Sequence, residues 1–520
     1  MYFMLPESPL TTIESRLRYL LPAEMYVAMW GNPSVEVMIQ VHNHLRTLQR
    51  ILHDYTSRQI DIAKLKPGDV KTEWQYGTMM FTDLAGFTKL MEANASKGRD
   101  GAENLLKELT RYFSTMISII SKSGGELVEF TGDAMLVVFP KTKKEKKDDA
   151  SRAIRAGLRM QRAMKDFAEI QTPSGIVNLQ MRIGIHSGRF LTAEIGTPRR
   201  MEHVLLGKDV QKAKLTESKG RNERVNVSES AYELAKADFR FEDGDPEYHL
   251  VVDDLSAENL GDYEITPVGR RMASSVLFDK KDKKEVLNNI VELLNSIEPL
   301  ASYIPDAVLS MLVESAADRR IPPDFPTPTI MFVNFIGLPE SADRALPGEE
   351  RKLAASFSKA FSLINAAVDA RGGVLKKVTY HLSGSDIVIY FGVPNAHTNN
   401  EMRAASAAVA IREVVKNIKP PTIGGIQPEV YCQIGINMGP AFVAEIGDPR
   451  GRREFNVLGD TVNTAARLMN RAQKNQIILS EAVKQAVESK YECNSLGEIS
   501  LKGKAKPMNL YELSHQKTKD

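Results

Sequence analysis

The chain has 520 residues, 26% of them charged and 42% hydrophobic, with 68 Lys and Arg against 66 Asp and Glu. That length carries two to four domains with real cores, and the near balance of charge argues against a general nucleic-acid or membrane-surface binder. The two cysteines, Cys432 and Cys493, exclude a disulfide framework or thiolate metal cage and suit a reducing, cytoplasmic setting. No apolar run nears the roughly 18–20 residues of a membrane span, the N-terminus does not read as a signal peptide, and neither a Walker A loop nor a strand-linked Gly-x-Gly-x-x-Gly occurs.

Residues 1–75 read as a helical arm. Pro33-Ser34-Val35-Glu36 opens a helix, and Val37, Ile39, Val41, Leu45, Leu48, Ile51 and Leu52 give it an apolar face. That face serves either to pack on the arm's own domain or to contact other chains. Residues 76–245 form a first domain: strand (78–84), helix (about 100–122), hairpin (126–139), helix (about 149–170), strand (177–186). This β-α-β-β-α-β order is ferredoxin-like, an α+β fold. A further hairpin strand and helix follow over Met201–Lys219, and the basic run Lys141–Lys147 reads as a solvated loop. Residues 246–325 form a structured linker, with helical periodicity over Val286–Ser296 and Pro305–Ala317. Residues 326–515 form a second domain.

Two short stretches in the first domain carry chemistry. Thr78-Met79-Met80-Phe81 reads as a buried strand that delivers Asp83 to its end, and Gly86 then turns the chain into a helix. A carboxylate at a strand end, followed by a helix start, suits a divalent cation with a polyphosphate. Thr131-Gly132-Asp133-Ala134 forms the hairpin turn and sets Asp133 beside Asp83 on the adjacent strand. Two carboxylates sharing two Mg²⁺ serve in-line phosphoryl or nucleotidyl transfer. Taken singly, Asp83 is as well read as a strand cap and Asp133 as a turn residue.

The second domain repeats the first. Ile330–Leu338 matches the opening strand, and Gly372-Gly373-Val374-Leu375-Lys376-Lys377-Val378 matches Gly124-Gly125-Glu126-Leu127-Val128-Glu129-Phe130. Cys432–Gly439 matches Met181–Gly188, Glu445-Ile446-Gly447 matches Glu194-Ile195-Gly196, and Val457-Leu458-Gly459 matches Leu205-Leu206-Gly207.

Phe81-Thr82-Asp83-Leu84-Ala85-Gly86-Phe87-Thr88, the later Gly132-Asp133, and Asn456-Val457-Leu458-Gly459-Asp460-Thr461-Val462-Asn463-Thr464-Ala465-Ala466-Arg467 together resemble class III nucleotide cyclases. The tandem layout resembles the soluble, bicarbonate-responsive adenylyl cyclases. The resemblance implies two domains paired head to tail within one monomer, with sites between them, ATP as substrate, and two Mg²⁺ for which Mn²⁺ substitutes. It assigns Asp83, Leu84 and Asp133 to the metals, and Gly86, Phe87 and Thr88 to the triphosphate. Lys377 and Asn456 fall at the base-reading positions, Lys502 at a phosphate-binding lysine, and Asn463 and Arg467 at the ribose and transition-state positions.

The halves divide these assignments. The second copy has Asn334 and His381 where the first has Asp83 and Asp133. The first has Glu129, Gln211 and Leu215 where the second has Lys377, Asn463 and Arg467. The resulting expectation is an adenylyl cyclase making 3′,5′-cyclic AMP and pyrophosphate. A catalytically inactive nucleotide-binding tandem and a guanylyl cyclase are the alternatives. A second, degenerate cleft would be lined by Glu129, Val204 and Lys214. The resemblance places two cations at the Glu129 and Lys214 positions of bicarbonate-responsive relatives, so Glu129 predicts weak or absent bicarbonate activation, with Glu129 and Lys214 free to pair with each other.

Overall fold

The structure is a computed structural model, and it describes residues 11–60, 66–141, 148–260, 282–317, 321–448, 451–501 and 506–517. Lys502 and residues 142–147 of the basic loop lie outside the described residues.

Helices α1 (Glu14–Leu17), α2 (Ala23–Gly31) and α3 (Val35–Tyr55) precede the first sheet. The first copy then runs β1 (Lys71–Ala85), α4 (Phe87–Ala95), α5 (Gly98–Lys122), β2 (Glu126–Thr131), β3 (Ala134–Pro140) and α6 (Asp148–Ala163). A small hairpin, β4 (Ile170–Thr172) and β5 (Gly175–Val177), leads to β6 (Gln180–Thr197), β7 (Arg200–Leu206), α7 (Lys208–Ser218), β8 (Val225–Ser228), α8 (Glu229–Ala235), β9 (Phe241–Asp243) and β10 (Tyr248–Val251). Helices α9 (Lys283–Ala301) and α10 (Asp306–Glu314) bridge the copies. The second copy comprises β11 (Thr329–Ile336), α11 (Glu349–Asp369), β12 (Gly373–Tyr380), β13 (Ser385–Phe391), α12 (Asn400–Lys416), β14 (Tyr431–Met438), β15 (Phe442–Gly447), β16 (Arg453–Leu458), α13 (Asp460–Arg471), β17 (Ile477–Ser480), α14 (Glu481–Val487), β18 (Tyr491–Ile499) and β19 (Met508–Gln516).

The first sheet has the order β2-β3-β1-β6-β8-β10-β9, and the second β12-β13-β11-β14-β17-β19-β18, so the topology is the same twice. Several elements differ in extent from the sequence reading. Strand β1 starts at Lys71, because its outer half pairs with the outer half of β6. Strand β6 continues to Thr197, past the expected end at 186. The helix expected over about 149–170 ends at Ala163 and tightens into a 3₁₀ turn, Met164–Phe167. Strand β10, beyond residue 245, belongs to the first sheet. In the second copy the equivalent of β6 is split at Gly439-Pro440, where proline offers no N–H to a ladder.

The outer part of β6 with β7, and β15 with β16, form two arms that exchange cores. Leu191, Ala193, Ile195, Val204 and Leu206 are buried in the core of the second copy. Phe442, Ala444, Ile446 and Leu458 are buried in the core of the first. Neither core is complete without the other copy's arm.

The N-terminal arm is packed inside the chain. Ser34 caps α3, its Oγ accepting from Val37 N at 3.3 Å. The apolar face of α3, with Val41, Leu45, Leu48 and Leu52, lies in one core with Ile290, Leu294 and Ile297 of α9. That core also takes in Ile330, Phe332 and Tyr390 of the second sheet. Tyr55, the last residue of α3, and Tyr303, two residues past α9, each hold an arm: Tyr55 OH donates to Glu445 Oε2 at 2.6 Å, and Tyr303 OH to Glu194 Oε2 at 2.7 Å.

Candidate active site

Asp83 ends the buried run of β1, opposite Arg182 of β6. Gly86 follows at φ 93°, a conformation that favours glycine, and a Cβ there would meet Asn178 O at 2.4 Å. Helix α4 starts at the next residue, so the backbone N–H groups of Phe87 and Thr88 head a helix. The side chains of Leu84 and Phe87 are buried in the first core, which leaves only their backbone groups for a ligand. Thr82 Oγ1 accepts from Met135 N at 3.1 Å and ties the end of β1 to the hairpin turn.

Asp133 sits half-buried in that turn. Burial, then the nearby charge of Asp83, push its carboxyl up to about 7. Two carboxylates that repel one another are an oxygen donor set suited to hard cations such as Mg²⁺. Among the described residues no group of three or more His, Cys, Asp or Glu gathers as a metal site. The pair therefore fits a cation that takes its other ligands from phosphate and water, the usual habit of Mg²⁺.

Arg182 was not singled out in the sequence. Its Nη2 lies 2.8 Å from Asp83 Oδ2, and its Nε lies 2.5 Å from Glu217 Oε1. A cation fixed beside the carboxylate pair faces the place where anionic charge would gather. Only its register opposite Asp83 could have flagged it.

The second copy contributes the facing wall. The N-terminus of α13 abuts α4: a Cβ on Gly459 would meet Met91 Cε at 2.6 Å. Asn463 is exposed on α13. Arg467 lies 3.8 Å from Asp460 Oδ1, and its Nη1 is buried without a hydrogen bond among the described residues. Asn456, on β16, is buried, and its Nδ2 likewise has no partner among the described residues. Its Oδ1 accepts from Val457 N at 3.0 Å and from Tyr390 OH at 3.4 Å. Asn456 thus presents a donor at its base-reading position, because its oxygen is already taken. Lys377 Nζ reaches across to the first copy and donates to Phe130 O, three residues before Asp133.

The second cleft is closed. Tyr380 packs on Phe81 of the first copy with ring centroids 4.3 Å apart. The space left, about 10 Å³ lined by Glu129, Val204 and Tyr380 among others, is at the limit of the roughly 10–15 Å³ one water needs. Lys214 is not part of that lining. Its Nζ pairs with Glu217 Oε2 at 2.7 Å, one helical turn away, so the Glu129–Lys214 pair considered above does not form. Glu129 Oε1 instead accepts from Thr379 Oγ1 at 2.5 Å and Thr131 Oγ1 at 3.1 Å. Where the cleft at Asp133 has its own Asp83, the equivalent position carries an amide: Asn334 Nδ2 lies 3.1 Å from His381 Nδ1 and 3.3 Å from Gln433 Oε1.

A fold built twice, with arms exchanged and a carboxylate pair in one copy, defines a cyclase. The family described as "Adenylate and Guanylate cyclase catalytic domain" matches residues 70–250 and 325–515, most of the chain, and the chain belongs to it as a tandem class III cyclase. Its similarity to "Adenylate cyclase type 10" runs over 76% of the chain: 22% identity over 401 residues for the Oryctolagus cuniculus protein and 22% over 405 residues for that of Homo sapiens. The chain spans 24% of the length of each of these relatives. "Guanylate cyclase soluble subunit beta-2" of Rattus norvegicus is 27% identical over 237 residues, covering 45% of this chain and 33% of that protein. Among solved structures, a "Class III adenylyl cyclase-like ATP-binding protein from Pseudomonas aeruginosa" shares the fold at TM-score 0.53 and 14% identity, over 86% of this chain and 92% of that one. No described helix is long and apolar enough to cross a membrane.

Proposed function

We propose that the chain is an adenylyl cyclase that converts ATP to 3′,5′-cyclic AMP and pyrophosphate between its two copies, in the cytoplasm. The observation that carries this reading is the split of unsatisfied groups. A mutually repelling carboxylate pair lies in the first copy, and two donors that make no hydrogen bond among the described residues lie in the second: Asn456 Nδ2, and Arg467 Nη1, which has only the carboxylate of Asp460 at 3.8 Å. A buried donor with no hydrogen-bond partner can take one from a ligand.

In this reading Asp83, Asp133 and the Leu84 carbonyl hold two Mg²⁺. Metals held there would supply activation of the ribose 3′-hydroxyl and neutralisation of phosphate charge. The N–H groups of Gly86, Phe87 and Thr88 cradle the triphosphate at the start of α4. Arg182 holds Asp83 in place and adds positive charge beside the phosphates. Arg467 offers its Nη1 to the charge that grows on the α-phosphate and the leaving pyrophosphate. Asn463 orients the ribose, and Lys502 adds a phosphate contact. Lys377 donates to adenine N1, which is an acceptor, whereas guanine N1 carries a hydrogen. In the second cleft the carboxylate of Glu129 and the bulk of Tyr380 leave no place for an anion, and bicarbonate activation is weak or absent.

One observation favours a second reading. The free Nδ2 of Asn456 is a donor, and guanine O6 is an acceptor, so a guanylyl cyclase is the competing assignment. Purified protein supplied with ATP and GTP in parallel, with Mg²⁺ or Mn²⁺, separates them by product. Cyclic AMP from ATP is expected. Cyclic GMP from GTP in excess selects the second reading, and no pyrophosphate release from either nucleotide leaves an inactive nucleotide-binding tandem.

A further inference from the structure

Strand β12 departs from a regular ladder at one point. Its register against β13 passes from Leu375 to Lys377, and Lys376 is the extra residue. In a regular strand neighbouring side chains face opposite ways, but a bulge re-aims them. Here both ammonium groups reach the same oxygen: Glu454 Oε2 lies 3.1 Å from Lys376 Nζ and 3.3 Å from Lys377 Nζ. The other oxygen, Oε1, receives Arg452 Nη2 at 2.9 Å. All three residues of the Glu454–lysine group are buried, Glu454 at 7% and each lysine at 8% exposure.

Glu454 stands two residues before Asn456 on β16 and so on the same face. Lysine is a point charge on a flexible stem, and it takes a defined position in a buried site only where a counter-charge and acceptors set it. Glu454 on one side and Phe130 O on the other supply that setting. The first copy shows what is special here. It carries the same bulge, between Leu127 and Glu129, and the matching glutamate, Glu202. Yet Val128 and Glu129 stand in place of the lysines, and Glu202 pairs with Arg200 at 2.7 Å instead.

We propose that Glu454 sets base choice by positioning Lys377 against the purine edge, so that the cleft selects a 6-aminopurine nucleoside triphosphate. This rests on the reading of Lys377 as the base-contacting residue. Glu454 itself, with both oxygens occupied, acts through the lysine and not on the base.

The test compares full-length protein and its Glu454→Gln variant in binding of non-hydrolysable ATP and GTP analogues and in initial rates with ATP and GTP. Loss of one charge-assisted contact predicts a fall in ATP affinity of about tenfold or more, while GTP affinity changes by less than about twofold. KM for ATP should rise more than kcat falls. Glu454→Asp, which keeps the charge, should restore part of the preference. The double variant Glu454→Gln, Lys377→Met should discriminate no worse than Lys377→Met alone, the non-additivity expected when one residue acts through another. Circular dichroism and melting temperature check the fold, and Glu454→Asp carries the same comparison should Glu454→Gln not fold. Equal weakening toward both nucleotides, or additive effects in the double variant, overturns the proposal. An unmutated protein that binds both analogues alike overturns the base assignment itself, whereas a preference that survives Glu454→Gln overturns only the role of Glu454.

Discussion

The two clefts share a backbone and differ in a handful of side chains. At one, a glycine, Gly132, makes the hairpin turn at φ 71° and leaves open space beside Asp133. At the other, the longer turn between β12 and β13 follows Tyr380, the last residue of β12, whose ring fills the interface against Phe81. Asp83 faces Arg182 in one copy, and Asn334 faces Gln433 in the other. The carboxylate pair of one copy is replaced, across the pseudo-twofold, by a hydrogen-bonded set of Asn334, His381 and Gln433. Duplicating a fold thus fixes where a site lies but not whether it works, because charge and bulk at four or five positions decide that.

The largest effect that would break this contrast is on the carboxylates. Asp83→Ala or Asp133→Ala should lower the rate of cyclic nucleotide formation by at least about 100-fold, since metal stabilisation is worth several kcal/mol and each ~1.4 kcal/mol is tenfold. Asn334→Ala, at the matching position, should change it less than about twofold. Similar losses in both would mean that the clefts are equivalent.

Next in size is the exchange of arms. Phe442 of the second copy is fully buried among residues of the first, and Phe442→Ala should cost about 3–5 kcal/mol. Urea unfolding followed by the fluorescence of Trp30 and Trp74 and by circular dichroism should shift while remaining a single transition for both copies. Two separate transitions would show that the copies stand independently.

The paired glutamates sharpen the comparison further. Burial, only partly offset by Arg200, pushes Glu202 up to about 7, against about 4.3 in an unfolded chain. The folded state then holds the extra proton between those values, so stability falls as pH rises through that window. Glu202→Gln should remove the slope and add roughly 1–3 kcal/mol above pH 7. Glu454 is the reverse. Burial alone would raise its carboxyl, but the charges of Lys376, Lys377 and Arg452 outweigh burial and hold it well below the usual carboxylate range. Its contribution is present above about pH 4.3 and lost as pH falls through the depressed value, and Glu454→Gln should cost about 3 kcal/mol at pH 7.5. Chemical denaturation from about pH 2.5 to 8 reads both slopes, the Glu454 slope below about pH 4.3 and the Glu202 slope above it, and slopes of one sign at both positions would refute the contrast. Smallest of all is Tyr55→Phe, expected to lose about 0.5–1.5 kcal/mol with its hydrogen bond to Glu445. No change in melting temperature would show the clasp to be idle.

Much of this was legible in the chain itself, because a repeat allows one copy to be read against the other. Local patterns found the hairpin, the arm and the bridging helices, and residue-by-residue matching found the unequal charge of the clefts. What stayed hidden depends on pairing across space. The outer half of β1 alternates too weakly to declare a strand until β6 is beside it. The bulge that brings Lys376 next to Lys377 has no local signature, so one lysine was singled out where two act on Glu454. Lys214 was matched to the second cleft by position, but a glutamate three residues on holds it elsewhere. The apolar face of α3 suited an outside partner equally well until α9 was seen against it.

That last pairing bears on how the molecule is made. Gln49 of α3 hydrogen-bonds Ser296 of α9, 247 positions later, and Tyr55 reaches Glu445, 390 positions later. At about 5–20 residues per second, α3 waits roughly 12–50 s after its own synthesis for α9 to appear. Through that interval the nascent first half carries an uncovered helix face and a core that lacks its β15–β16 arm. A neighbouring chain on the same messenger presents the same vacancies, so close spacing of ribosomes should favour domain-swapped dimers joined by these elements.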